Sequence, residues 1–90
     1  MFPQFIIYFS HNGLKYSAEV KLFEVDGSKI FDVYYSLLPI TRPAVLLQIY
    51  SVSVNDRIVS WWERASRKEF IPENPLFIQA IGNAIQEHLL

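Results

Sequence analysis

Two dipeptides constrain this chain more than anything else in it. Asn12-Gly13 and Asp26-Gly27 each lie between runs rich in β-branched and aromatic residues. They are the pairs that best accept positive φ at both central positions of a type I′ turn, whose twist matches that of the flanking strands. A two-residue loop fixes register, and register fixes which side chains share a face. Closing on Asn12-Gly13 predicts Phe9 opposite Tyr16, Ile7 opposite Ala18, Phe5 opposite Val20 and Pro3 opposite Leu22, all of them apolar. Tyr8 with Ser17, Ile6 with Glu19 and Gln4 with Lys21 then make a mixed second face. Closing on Asp26-Gly27 sets Leu22 on Phe31, Val20 on Val33 and Ala18 on Tyr35, which carries the same apolar face onto a third strand. On the other face Lys21 meets Asp32, a cross-strand charge pair worth roughly 0.2–1 kcal/mol. Two turns chosen on local chemistry agree on one core, and such agreement between levels is what a foldable sequence shows.

Asn55-Asp56 is a third turn signal. It lacks the glycine, but both residues tolerate the left-handed region. It predicts a hairpin joining residues 44–54 to 57–64, with Tyr50 against Trp61 and Val52 against Val59 on one face, and Ile49 against Trp62 and Leu47 against Arg64 on the other. Between the second and third hairpins, Pro39 and Pro43 deny a regular ladder to residues 38–43 and make them a connector. The charges Arg67, Lys68 and Glu69 mark a solvated loop or strand end over residues 65–70. Asn74-Pro75 is a helix start: Asn accepts from the first-turn amides, and Pro brings φ already set. Phe77, Ile81, Ile85 and Leu89 then recur every four residues, with Ile78 and Ala84 beside them, so the helix runs to about His88 with one apolar stripe for the sheet. Gly82 costs such a helix about 1 kcal/mol against Ala, which points to a close approach by a strand or another helix. The expected fold is α+β: a five-stranded, mostly antiparallel meander with one C-terminal amphipathic helix on one face, as a single domain over residues 1–90.

Composition narrows the function classes. Ninety residues leave room for one core; 51% are apolar, 16% aromatic and 19% charged, too hydrophobic a mixture for a disordered segment. A chain this size buries only roughly 60–65% of its unfolded surface, so part of the apolar excess stays exposed or meets a partner. Eight Lys and Arg against nine Asp and Glu give a net charge of −1, without the global positive field of a non-specific nucleic-acid binder. The absence of cysteine excludes disulfides, thiolate nucleophiles and zinc sites built on sulfur. The apolar start, residues 1–9, lacks a basic n-region and a small-residue cleavage site, and no run approaches the ~18–20 apolar residues of a spanning helix. The expectation is a soluble cytoplasmic protein without membrane contact.

Catalytic constellations are thin. His11 and His88 stand in no metal-ligand spacing, and Glu19, Asp32, Asp56 and Glu63 are scattered over strands and turns. Of the three glycines two serve hairpins, so there is no phosphate-cradling loop. The chain is therefore expected to be no enzyme and to need no cofactor or metal. What stands out is the face opposite the core, where Ile6, Tyr8, Phe23, Ile30 and Tyr34 make too much apolar surface for a sheet face meant for water. Strand curvature and the proline connector cover it in part, or a second copy does. The reading is a non-catalytic interaction or assembly protein, a homodimer joined through that face or through the C-terminal helix. An alternative is single-stranded nucleic-acid binding through Trp61, Trp62, Arg64, Arg67 and Lys68, aromatics for stacking beside cations for phosphates. In layout alone, strands followed by a helix resemble the single-strand-binding modules of the PUR and Whirly kind.

Overall fold

The computed structural model describes residues 4–64 and 74–89. Its elements are β1 (Gln4–His11), β2 (Leu14–Val25), β3 (Ser28–Leu37), β4 (Val45–Val54), β5 (Arg57–Glu63) and α1 (Pro75–Leu89). The strands form one antiparallel sheet in the order β1-β2-β3-β4-β5, with the helix packed against it. All three predicted turns carry positive φ at both central residues: 51° and 77° at Asn12 and Gly13, 50° and 79° at Asp26 and Gly27, 53° and 63° at Asn55 and Asp56. The first two hairpins close in the predicted register, with Phe5 opposite Val20, Val20 opposite Val33 and Leu22 opposite Phe31. Pro3 and the stretch Arg67-Lys68-Glu69 lie outside the described residues.

The third hairpin departs from expectation beyond its first two pairs. Val54 faces Arg57 and Ser53 faces Ile58, as a two-residue loop demands, but Val52 then faces Ser60, with a shift in register between Val52 and Ser53. Val59 is the extra residue, a β-bulge that offsets everything after it by one. Tyr50 consequently pairs with Trp62 rather than Trp61, and Ile49 with Glu63 rather than Trp62. A one-residue slip exchanges the faces of a strand. Trp61 therefore turns in toward the helix and Trp62 turns out. Past Glu63 the strand is held by the Arg64 amide, which donates to the Gln48 carbonyl at 2.7 Å.

Helix α1 packs most closely on β1 and β5, the two edges of the sheet, and less on β4. A helix that reaches both edges at once requires a sheet curled around it, so the opposite face is convex. The core is the filling of that curl: Val20, Val33 and Ile49 from the strands, Ile78, Ile81 and Ile85 from the helix, all fully buried. The apolar stripe of the helix falls where its spacing places it. Gly82 sits flat on the Trp61 indole, which resolves the close approach in favour of a strand. Where the curl opens, the Phe5 ring stacks on His88 at 4.3 Å and His11 meets the edge of Phe77 at 5.3 Å.

Asn74 caps the helix as expected, its side-chain oxygen accepting from the Leu76 amide at 2.8 Å and its carbonyl from the Phe77 amide at 2.9 Å. Asn74→Ala leaves the first of these donors unpaired and is expected to cost about 1 kcal/mol, whereas Asn74→Asp retains most of the stability. Paired urea melts of the two variants check this; equal midpoints would show that the cap contributes nothing.

Candidate association surface

The convex face is built from alternate residues of every strand, and the register aligns them in rows across the sheet. Tyr8, Ser17 and Ser36 form the first row, and Ile6, Glu19, Tyr34 and Leu46 the second. Gln4, Lys21, Asp32 and Gln48 form the third, which Arg64 extends beyond Gln48. Phe23, Ile30, Tyr50 and Trp62 form the fourth. The third row is a hydrogen-bonded polar belt: Arg64 Nη1 donates to Gln48 Oε1 at 3.2 Å, and Gln48 Nε2 donates to Asp32 Oδ1 at 2.8 Å. Gln4 Nε2 donates out of the row to the Glu19 carboxylate. Lys21 does not close on Asp32; its amine stands 5.4 Å from the centroid of the Tyr34 ring, a cation–π arrangement.

The belt splits the apolar surface in two. Beyond its one side lie Ile6 and Tyr8, 58% and 72% exposed, with half-buried Tyr34 and exposed Leu46. Beyond its other side lie half-buried Phe23, exposed Tyr50 and Trp62, the latter 52% exposed, with its indole N–H donated to Ser60 Oγ at 2.9 Å. Sequence reasoning placed Ile6, Tyr8, Phe23 and Tyr34 on this face, where they are, but it missed Leu46 and Tyr50 on β4. Ile30 requires a correction. It lies on the convex face yet is only 6% exposed, flanked across the strands by Phe23 and Tyr50, so it is the floor of the second patch and offers almost no contact surface.

The nucleic-acid candidates separate. Trp61 is 4% exposed and packed in the core, a correction imposed by the bulge, and is closed to any base. Trp62 and Arg64 remain exposed on the convex face, and Arg67 and Lys68 lie outside the described residues. The four charged side chains of the rows, Glu19, Lys21, Asp32 and Arg64, sum to zero. The outward side of the helix is different in kind, with Asn83 and Glu87 exposed along its middle and Leu76 and Leu89 isolated at its ends.

Among the described residues no group of three or more His, Asp or Glu side chains comes together to hold a metal ion, and no helix is long and apolar enough to cross a membrane. Set against known family models, curated proteins and solved structures, the chain matches none.

Proposed function

We propose that this chain is a non-catalytic association module that pairs with a second copy of itself through the convex sheet face around Ile6, Tyr8 and Tyr34. The observation that carries this is the exposure of large apolar side chains on both sides of a polar belt, on four rows whose charges sum to zero. Four rows of zero net charge, with Lys15 alone beyond them opposite Ser10, repel their own copy little, and a two-fold contact presents the same patch to itself. The same cancellation weighs against single-stranded nucleic acid, which needs an excess of cations along its path. The polar middle of the helix weighs against a helix-to-helix dimer.

The size of the face limits the area a dimer can bury. Five strands ~4.8 Å apart and ~8 residues deep at ~3.3 Å per residue project to roughly 600 Å². That is below the ~800 Å² per partner of a standard interface, and convexity reduces it further, so the dimer is weak, with a dissociation constant on the order of 10 µM. Sedimentation velocity across a concentration series straddling that value is expected to show a monomer giving way to a dimer. Ile6→Lys combined with Tyr8→Lys puts charges where the partner must desolvate them and is expected to hold the protein monomeric, with the parent's melting when both are compared at concentrations where the parent too is monomeric. A monomer at every concentration, indifferent to these substitutions, overturns the proposal. Oligonucleotide binding that weakens steeply with salt and vanishes in Arg64→Gln would transfer the face to the other reading.

A further inference from the structure

The β3–β4 ladder stops at Ile30 opposite Tyr50, although both strands continue. The β2–β3 ribbon runs on to Val25 opposite Ser28, and the β4–β5 ribbon to Val54 opposite Arg57, so the two hairpin tips part from each other. Between them is an open cleft of about 510 Å³ whose polar lining is Ser28, Lys29, Tyr50, Ser51, Ser53 and Arg64. Every one of those side chains is a hydrogen-bond donor, two are cations, and among the described residues no carboxylate lines the cleft. In a chain with more acids than bases this is a local reversal of sign. Of the neighbouring acids, Asp32 accepts from Gln48, and Glu24 is the cross-strand partner of Lys29 on β2, next to the cleft but not in its lining. Two other cavities lined by described residues lack the combination. One of about 410 Å³ beside Tyr16 and Tyr35 has Arg42 as its one cation, and one of about 420 Å³ has a carboxylate, Asp56, in its lining with Arg57.

We infer that this cleft binds an organic phosphate, with Lys29 and Arg64 meeting the phosphate and the exposed Tyr50 ring forming the wall for its planar part. Arg64 is suited to the first task because its backbone amide and one guanidinium nitrogen are already fixed on Gln48, which leaves the remaining N–H groups pre-oriented for oxygen. The serine hydroxyls supply the donors that a phosphate's remaining oxygens need. The volume falls in the range of small-molecule sites, ~300–1,000 Å³, and is far larger than a bare phosphate requires. This inference does not rest on self-association.

Nuclear magnetic resonance titrations of the full chain with adenosine monophosphate, adenosine and inorganic phosphate test it, run in the Ile6→Lys, Tyr8→Lys background so that dimerisation does not contribute. The nucleotide is expected to shift the amides of Ser28, Lys29, Ser51 and Ser53, with adenosine silent and inorganic phosphate weaker. Lys29→Gln and Arg64→Gln are each expected to weaken nucleotide binding about tenfold or more, the loss of a charge-assisted hydrogen bond, while the amide spectrum elsewhere stays native. No shifts at a nucleotide concentration of about 10 mM, equal binding of adenosine or of inorganic phosphate, or indifference to both substitutions would each overturn the assignment.

Discussion

Gly82→Ala is expected to destabilise this protein by about 3 kcal/mol, against the sign that helix propensity alone assigns. In an isolated helix the change gains about 1 kcal/mol, since alanine is the better helix former. Here a Cβ built on Gly82 falls 2.1 Å from Trp61 Cγ and 2.3 Å from both Cδ1 and Cδ2. Those are body atoms of a rigid indole, which cannot swing aside as a long side chain would. The ring is buried, with the Phe31 ring centroid 5.4 Å from its own, and it is fixed to the β5 backbone next to the bulge. The helix must lift or the strand must shift, and either movement opens the packing of Ile78, Ile81 and Ile85. Against a total stability of roughly 5–13 kcal/mol for ninety residues, the loss is a large fraction. Urea denaturation at one fixed protein concentration measures it, because self-association would otherwise raise the apparent stability. In the double variant with Trp61→Leu the alanine has room, so the two losses are expected to fall well short of their sum. A single Gly82→Ala variant as stable as the parent would mean that the helix is not seated on Trp61.

The helix could be read from its apolar spacing and its Asn74-Pro75 start, but Trp61 as the object of Gly82's approach could not. A glycine on a helix signals contact without saying with what. The strand that meets it owes its facing to Val59, and neither Asn55-Asp56 nor the flanking residues mark a bulge, so plain alternation carried through the hairpin puts the wrong tryptophan inside. The first two hairpins were legible for the opposite reason: their turn chemistry and their alternation each demand the same register, and an error in one would have exposed an apolar row. That also explains which part of the convex face was foreseen. Ile6, Tyr8, Phe23 and Tyr34 belong to strands joined by tight turns. Leu46 and Tyr50 belong to β4, whose register against β3 follows a connector with a cis Leu38–Pro39 bond rather than a two-residue loop, so no local rule placed them. Ile30 was assigned to the right face, but its burial depends on Tyr50 arriving from that unplaced strand. The polar belt emerged only when all of the rows were aligned.

Phe77→Ala is expected to be the most damaging substitution of a single helix side chain, at about 4 kcal/mol. The phenyl ring is buried at the first turn of α1, with the rings of Tyr35, Tyr16, His11 and Phe9 around it at centroid distances of 5.0, 5.2, 5.3 and 5.7 Å. All four meet it at steep angles, between 66° and 77°, the edge-to-face geometry that favours aromatic pairs. Removing a buried Phe costs roughly 3–5 kcal/mol, and four aromatic edges that lose their common partner place this site in the upper part of that range. Those rings come from β1, β2 and β3, so Phe77 ties the N-terminal end of the helix to three strands, two of which the helix backbone does not closely approach. Its loss should therefore free that end first. Amide hydrogen exchange is expected to accelerate at Ile78, Ala80 and Ile81 in Phe77→Ala while Val20 and Val33 keep their protection until global unfolding. Phe77→Leu, which keeps most of the volume and loses only the ring, is expected to cost about 1–2 kcal/mol and so divides the aromatic contribution from the cavity. A Phe77→Ala loss below about 1.5 kcal/mol would place the ring at the edge of the core instead of inside it. The convex face contains none of these residues, so whatever fraction of the variant remains folded should still self-associate with the parent's dissociation constant. That outcome separates the interior that shapes the sheet from the exterior that uses it.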